Sequence, residues 1–504
     1  MREPAATSTF DVLVIGAGFG GLGAALSLAE QGARVCLCES LRYPGGCAST
    51  FQRGGFRFDA GATLLSGLGR GQLFGSWLER YAPHTQVDWM DPLVELRSPG
   101  LRLVVGRDRA ALVAQFCAMP GAPIAKIRAF FARQQAVAAL LWSVFDDVEL
   151  LPPFGVKNLA RHSVRLLRYA TLAPLLGRSL ASVLASYGLS EFEPLRLYID
   201  ALCQITVQCP AAEAEALFAL AAMDYYYRGT AHVRGGVGTL ANVLLRAAAE
   251  IGVEVRLPAR VSDLRRDSHG FWLAATRRGP VRARAVVANL IPAALEGLLA
   301  KEPRHLHGRA ELRARSAAFD DSWGAAMLYA VARAPHGASA DAHHLQLIAE
   351  PEQRLSEGNH VFLSASSELE TERAPTGRRT LTISTHVSLA KLRAAGDAAG
   401  QHVRSIQCRM RRTLELRAPE WSGGIEHELS ASPRTFARFV GRPSGTVGGL
   451  PRRVGMSSYA GIGPSQVLDG IWLVGDSVFP GQSALATAIG GVRTASDVRR
   501  SLGG

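Results

Sequence analysis

The stretch Phe10-Asp11-Val12-Leu13-Val14-Ile15-Gly16-Ala17-Gly18-Phe19-Gly20-Gly21 carries a β-branched apolar run straight into a glycine-rich turn. The run reads as a short, fully buried strand of a parallel sheet. Helical spacing follows through Leu22, Ala25, Leu26 and Ala29, and Gly32 stands where that helix should stop. A second strand, Ala33 to Cys38, ends in Glu39, 23 residues beyond Gly16. Each glycine has a physical task in such a unit. Gly16 permits the tight turn, Gly18 lets backbone N–H groups approach a pyrophosphate, and Gly21 lets the helix pack on the strand. Glu39 is placed to accept hydrogen bonds from a ribose diol, and a carboxylate there disfavours a 2′-phosphate.

Working outward, Tyr43-Pro44-Gly45-Gly46-Cys47 offers a second double glycine soon after the ribose acid. It would let the chain pass close to a pyrophosphate and a flavin. Near the other end, Gly470-Ile471-Trp472-Leu473-Val474 reads as a buried strand running into Gly475-Asp476-Ser477. Pro480-Gly481-Gln482-Ser483 then opens a helix through Leu485 to Val492. Asp476 could accept a hydrogen bond from a ribityl hydroxyl. The following helix N-terminus would favour the anionic edge of a reduced flavin. The two motifs together point to FAD rather than NAD.

At these residues the chain resembles the phytoene desaturase and carotenoid isomerase family of flavoproteins, in the wider clan of the amine oxidases. The most specific similarity is Leu473-Val474-Gly475-Asp476-Ser477-Val478-Phe479-Pro480-Gly481-Gln482. It extends to His232-Val233-Arg234-Gly235-Gly236-Val237-Gly238, to Ala285-Val286-Val287-Ala288-Asn289 and to Thr435 through Gly449, the last resembling the carotenoid 3,4-desaturase and isomerase branch. The resemblance implies an α/β, glutathione-reductase-like FAD-binding Rossmann domain with an interleaved antiparallel-sheet and helical substrate domain. It also implies FAD contacts at Gly16, Gly18, Gly20, Gly21, Glu39, Gly45, Gly46, Val261, Gly475, Asp476, Gln482 and Ser483. Val261, in an expected strand Val253 to Leu264, would use its backbone against adenine. Cys47 and Ser483 depart from the residues common in relatives.

The length of 504 residues exceeds one hydrophobic core, so two interleaved domains are expected. The expected FAD-binding segments are 8–100, 231–300 and 451–504, and the substrate-domain segments are 101–230 and 301–450. The apolar content of 48% leaves room for an exposed apolar surface, and the net charge of +13 favours anionic partners. Cys36, Cys38, Cys47, Cys117, Cys203, Cys209 and Cys408 form no C-x-x-C pair, which suits a reducing, cytoplasmic setting without structural disulfides. The N-terminus, Met1 to Thr9, is short and polar. No uninterrupted apolar run is long enough for a transmembrane helix. The chain has no H-E-x-x-H, G-x-S-x-G or P-loop pattern, so metal, hydrolase and NTPase chemistry are not expected.

The middle of the chain, Asp108 to about Gln208, reads as mostly helical. Ala136 to Phe145 is apolar nearly all round, and no acidic residue occurs between Glu149 and Glu191. Within that gap Lys157, Arg161, Arg165 and Arg168 would share one helix face, suited either to an anionic lipid surface or to plain solvation. Pro210 to Met223 reads as another helix. Strands are expected at Ala326–Val331, His344–Ile348, His360–Ala365 and Thr380–Val387. His232 and Tyr225-Tyr226-Tyr227 are candidates for a tunnel lining, with packing the more ordinary role. His386 and His427 show no metal spacing.

The expected activity is desaturation of a carotenoid-type polyene, with an apolar isoprenoid as substrate. Hydride would move from an allylic C–H to flavin N5, with no dedicated base required by the chemistry. Quinone or oxygen is the expected electron acceptor, and peripheral contact with an anionic membrane is expected, with no nucleic-acid partner. The alternatives are a redox-neutral cis–trans isomerase using reduced FAD, a retinol-saturase-like reductase and a non-catalytic flavin-bound membrane scaffold.

Overall fold

A computed structural model describes residues 9–152, 156–303, 307–460, 462 and 465–503. Met1 to Ser8 and the Lys157 side chain lie outside the described residues.

The first sheet has eight strands, five of them parallel in the order Glu254–Arg256, Val35–Cys38, Thr9–Ile15, Val281–Ala288 and Ile471–Leu473, with Gln466–Leu468 antiparallel on the last. Val12, Leu13 and Val14 of the opening strand are fully buried, as a parallel sheet covered on both faces requires. Trp272–Thr276 and Val261–Arg266 extend the sheet antiparallel from the first half of Val281–Ala288. The stretch Val253 to Leu264, expected as one strand, is therefore two. Pro258 falls between Glu254–Arg256 and Val261–Arg266, and proline has no N–H to continue a ladder.

Seven strands form the second sheet, in the order Ile425–Ala431, Trp323–Arg333, Arg378–Ser388, His360–Ala365, His343–Ile348, Val94–Ser98 and Leu101–Val105. Its pairs are antiparallel except His343–Ile348 with Val94–Ser98. Strand alternation separates its faces. Ala326, Leu328 and Ala330 pack with Ile406, Met410 and Leu414 of the helix Ala399–Arg417. Met327 and Tyr329 turn the other way, toward Phe58 and Phe436.

A buried ionic latch ties the connection between His360–Ala365 and Arg378–Ser388 to the hairpin of Thr50–Arg53 and Phe56–Asp59 and to the turn before the helix Val237–Glu250. Arg373 reaches Asp59 at 3.0 Å, and Glu370 accepts from His232 at 2.9 Å and from the Gly235 N–H at 2.6 Å. His232 is thus a buried partner of Glu370.

The middle of the chain is helical, with Ile124–Phe145 and Glu193–Thr206 its longest helices. Two expectations there need correction. Lys157 to Arg168 is not one helix: Val156–Ser163 and Leu166–Ala170 are separated by a turn at Val164 and Arg165. His162 causes part of this, because its ring is tethered to the Leu150 carbonyl and the Tyr169 hydroxyl. Pro210 to Met223 is helical only over Ala216–Ala222. Glu215, fully buried, accepts from the Gly177 N–H and the Tyr459 hydroxyl, which pins the chain before the helix starts.

Candidate active site

The carboxyl ends of four parallel strands converge on Gly16, Glu39, Asn289 and Gly475, where ligands of open α/β sheets bind. Gly16 has φ +95° and Gly475 φ +107°, backbone conformations that side chains rarely tolerate. Asn289 is the hub. A Cβ at Gly18 would lie 2.5 Å from its Nδ2, and one at Gly20 would lie 2.9 Å from its Oδ1 and 2.8 Å from the Gly475 nitrogen. The glycines are therefore fixed by close approach as well as by turn geometry.

The helix Phe19–Glu30 begins at this point, so its first N–H groups lack intrahelical partners and face outward. Glu39 is buried. It accepts from the Ala17 N–H at 2.7 Å through one oxygen, and from the Leu41 N–H at 2.8 Å and the Ser40 hydroxyl at 3.0 Å through the other. The second glycine pair is bound to the first turn, with the Gly45 N–H donating to the Ala17 carbonyl at 2.8 Å.

A cavity of about 690 Å³ starts at these strand ends and runs between the two sheets. Gly16, Gly18, Gly20, Glu39, Gly45, Gly46, Gly475, Asp476, Gln482 and Ser483 all line it. Ala325, Met327, Phe362, Ser384 and His386 line its sheet side. Leu141, Trp142, Leu150, Leu151, His162, Tyr169, Leu172 and Tyr225 line its helical side. The walls are mostly apolar, the property of a site that takes a large hydrophobic ligand.

Two of the expected residues are elsewhere. Gly21 faces away from the cavity, where a Cβ would sit 2.0 Å from the Gly16 carbonyl oxygen, so it serves helix–turn packing. Val261 packs in the core with Phe10 and Leu13 and is not part of the cavity wall. Tyr225 is at the wall with its hydroxyl on the Leu64 carbonyl, whereas Tyr226 is buried against Gln346.

Arg442 and Arg452, absent from the sequence-derived site, complete it. Arg442 grips Asp476 through two hydrogen bonds of 2.7 and 2.8 Å, a fork-on-fork pair. Burial opposes the Arg442 charge, but Asp476 outweighs it and raises the guanidinium pKa above its ordinary value. Both Asp476 oxygens keep a lone pair for a further donor. Arg452 has no carboxylate partner among the described residues. Its guanidinium lies over Phe218 at 5.1 Å and donates to the Pro480 carbonyl at 3.3 Å, and burial pushes its pKa down to about 10. Burial also pushes the Cys47 thiol up. Ser483 caps the closing helix Ala484–Ser501 by accepting from the Ala486 N–H, and Gln482 donates to the Thr206 carbonyl.

These features fit a flavin dinucleotide. The glycine cradle has no room for Cβ atoms, the free helix N-terminus suits a pyrophosphate, and the cavity continues past the strand ends far enough for a ring system. Gly16, Gly18, Gly20, Glu39, Gly45 and Gly46 would hold the dinucleotide part, and Gly475, Asp476, Gln482 and Ser483 the ring end.

Comparison with known proteins agrees with this geometry. Residues 14–81 match the NAD(P)-binding Rossmann-like domain family. The chain is 25% identical to a chloroplastic prolycopene isomerase of Arabidopsis thaliana over 98% of this chain and 84% of the relative. It is 29% identical to a phytoene dehydrogenase of Streptomyces griseus over 55% of this chain and 53% of that one. Among solved structures, putrescine oxidase bound to putrescine superposes with a TM-score of 0.62 at 17% identity, covering 98% of this chain and all of that one. The last likeness shows the shared fold: a glutathione-reductase-like Rossmann domain interleaved with a sheet-and-helix domain.

Proposed function

We propose that this chain, which belongs to the phytoene desaturase and carotenoid isomerase family of FAD-dependent oxidoreductases, binds FAD in the glycine cradle and desaturates a long carotenoid-type polyene in the adjoining cavity. The observation that carries this reading is the single continuous cavity, glycine-lined at the strand ends and apolar beyond them. Flavin, when bound, supplies a two-electron hydride acceptor. The protein's own contribution is positional. The cradle fixes one reactant, the sheet floor and the helical wall align the other, and the apolar lining excludes water from the path between them. Quinone or oxygen would take the electrons onward.

Redox-neutral cis–trans isomerisation is the second reading. It is favoured by the near full-length similarity to prolycopene isomerases, where the desaturase match covers about half the chain. One experiment separates the readings: turnover of a carotene extract by the purified flavoprotein, followed by mass and absorbance. Loss of two hydrogens supports desaturation, and unchanged mass with a shifted spectrum supports isomerisation. Absence of product under oxidising and reducing conditions leaves a flavin-bound scaffold.

The same reading divides the chain into interleaved FAD-binding and substrate segments, because strands distant in sequence share each sheet. It also places the protein in the cytoplasm, against a membrane that holds the apolar substrate. Among the described residues no helix is long and apolar enough to cross a membrane. His162 and Tyr169 line the cavity from two short helices, and these helices with the turn between them expose Leu159, Val164, Leu166 and Leu167, the last 89% exposed. Arg161, Arg165 and Arg168 flank these apolar side chains, a composition that suits an anionic lipid surface.

A further inference from the structure

Two histidines line the cavity, and their surroundings differ. His162 uses both ring nitrogens, one on the Tyr169 hydroxyl at 2.9 Å and one on the Leu150 carbonyl at 3.0 Å. His386 stands on the sheet floor, in the strand Arg378–Ser388 and in register with Ala325. Among the described residues no hydrogen bond reaches its ring. Packing holds it instead: the ring meets Trp323 edge-on at 5.8 Å, and the Trp323 indole N–H is anchored on the Gln208 carbonyl at 2.8 Å. His386 is half-buried, and neither ring nitrogen has a hydrogen-bond partner among the described residues, so the imidazole stands at the cavity wall with its nitrogens open to a ligand there.

Among the described residues no carboxylate pairs with His386 to favour its charged form. From the neighbouring strand it faces His360, whose ring is bonded to Gln346 at 2.9 Å and is itself held neutral by burial. Arg354 stacks over the Trp323 ring at 5.5 Å, and the Glu357 carboxylate is engaged by Lys391. Burial lowers the His386 pKa to about 4, so at neutral pH the ring is uncharged and keeps a free lone pair.

Desaturation offers such a group a task. One hydrogen leaves carbon with its electron pair and passes to the flavin as oxidant, which leaves an allylic cation. The neighbouring C–H bond then breaks, its electron pair becomes the second bond of the new alkene, and a proton must be accepted. A proton next to a delocalised cation is strongly acidic, so a weak neutral base suffices, and a neutral base needs no counter-ion in an apolar cavity. We propose that His386 is the catalytic residue that takes this proton. The inference rests on the desaturase reading, because isomerisation releases no proton.

The test is anaerobic single turnover of the FAD-loaded protein with an isoprenoid polyene carrying saturated bonds beside its conjugated stretch. Bleaching of the flavin and the product mass are followed for the wild type, His386→Gln and His386→Ala. The expected result is a fall of about 10²-fold in the bleaching rate for both variants, the scale of a lost general base. Flavin content and polyene binding, read from the absorbance spectra, stay unchanged, and added imidazole restores part of the His386→Ala rate. In the wild type the rate falls only as the pH drops through about 4, where the ring becomes charged. His386→Gln bleaching within twofold of wild type overturns the proposal and leaves desaturation standing. A wild type that never bleaches but shifts cis double bonds overturns both.

Discussion

The two ends of the cavity are made of different material. At the strand ends the walls are backbone: glycines at positive φ and helix N–H groups, with Asn289 and Glu39 filling the space between. At the sheet floor and the helical wall they are side chains: Met327, Phe362, His386, Tyr225 and Leu172. The first end selects its ligand by close approach and cannot change a residue without losing its shape. The second end is shaped by packing, where volume-conserving changes are tolerated and chemical identity matters only at the few polar positions.

The strongest way to break this contrast is at the cradle. Gly20→Val should abolish the copurifying flavin, because its Cβ would sit 2.8 Å from the Gly475 nitrogen; the flavin absorbance of the purified protein reads this directly. Phe362→Leu on the floor should retain full flavin and alter only polyene turnover. Arg442→Met should cost about 3–5 kcal/mol in denaturant unfolding, since it leaves the Asp476 charge buried and unpaired. Adding Asp476→Asn should return much of that loss while flavin affinity stays low.

The buried latch of Asp59, His232, Glu370 and Arg373 gives a smaller, pH-dependent effect. Burial opposes ionisation of Glu370, but the His232 hydrogen bond and the His232 and Arg373 charges hold its pKa down to about 2. A folded pKa below the ordinary carboxylate value means the stabilisation is fully present above about pH 4.5 and is lost as the pH falls toward 2. The expected contribution is about 3 kcal/mol, and Glu370→Gln should remove that part of the acid dependence in unfolding midpoints. The mildest effect belongs to the outer face. Replacing Leu166 and Leu167 by Ser should weaken binding to anionic vesicles about tenfold, with turnover in detergent unchanged.

The contrast also explains what could be read from the residues alone. Strand, glycine turn, helix and acid are local in sequence, so Gly16, Gly18, Gly20 and Glu39 were legible, and the Gly475 motif marked its own strand end. Gly21 was legible as a packing glycine, and its inclusion among ligand contacts came from treating the motif as one unit. Asn289 carries no signal by itself, because its importance comes from lying beside five glycines, Gly16, Gly18, Gly20, Gly21 and Gly475, at the ends of the two neighbouring parallel strands. Arg442 and His386 depend on contacts between segments far apart in the chain. The break at Val164 was hidden because charge spacing continues across it, while the tether on His162 that turns the chain comes from Leu150 and Tyr169.

The closing helix Ala484–Ser501 lies against the opening helix Phe19–Glu30 so tightly that a Cβ at Gly491 would sit 2.2 Å from the Gly20 carbonyl oxygen, and one at Gly23 would sit 2.7 Å from that of Ala488. The wall that Gly475 and Ser483 give the cavity and the wall that Gly16 to Gly20 give it are therefore locked to each other, so a bulky residue at Gly23 or Gly491 would splay the cavity without touching its lining.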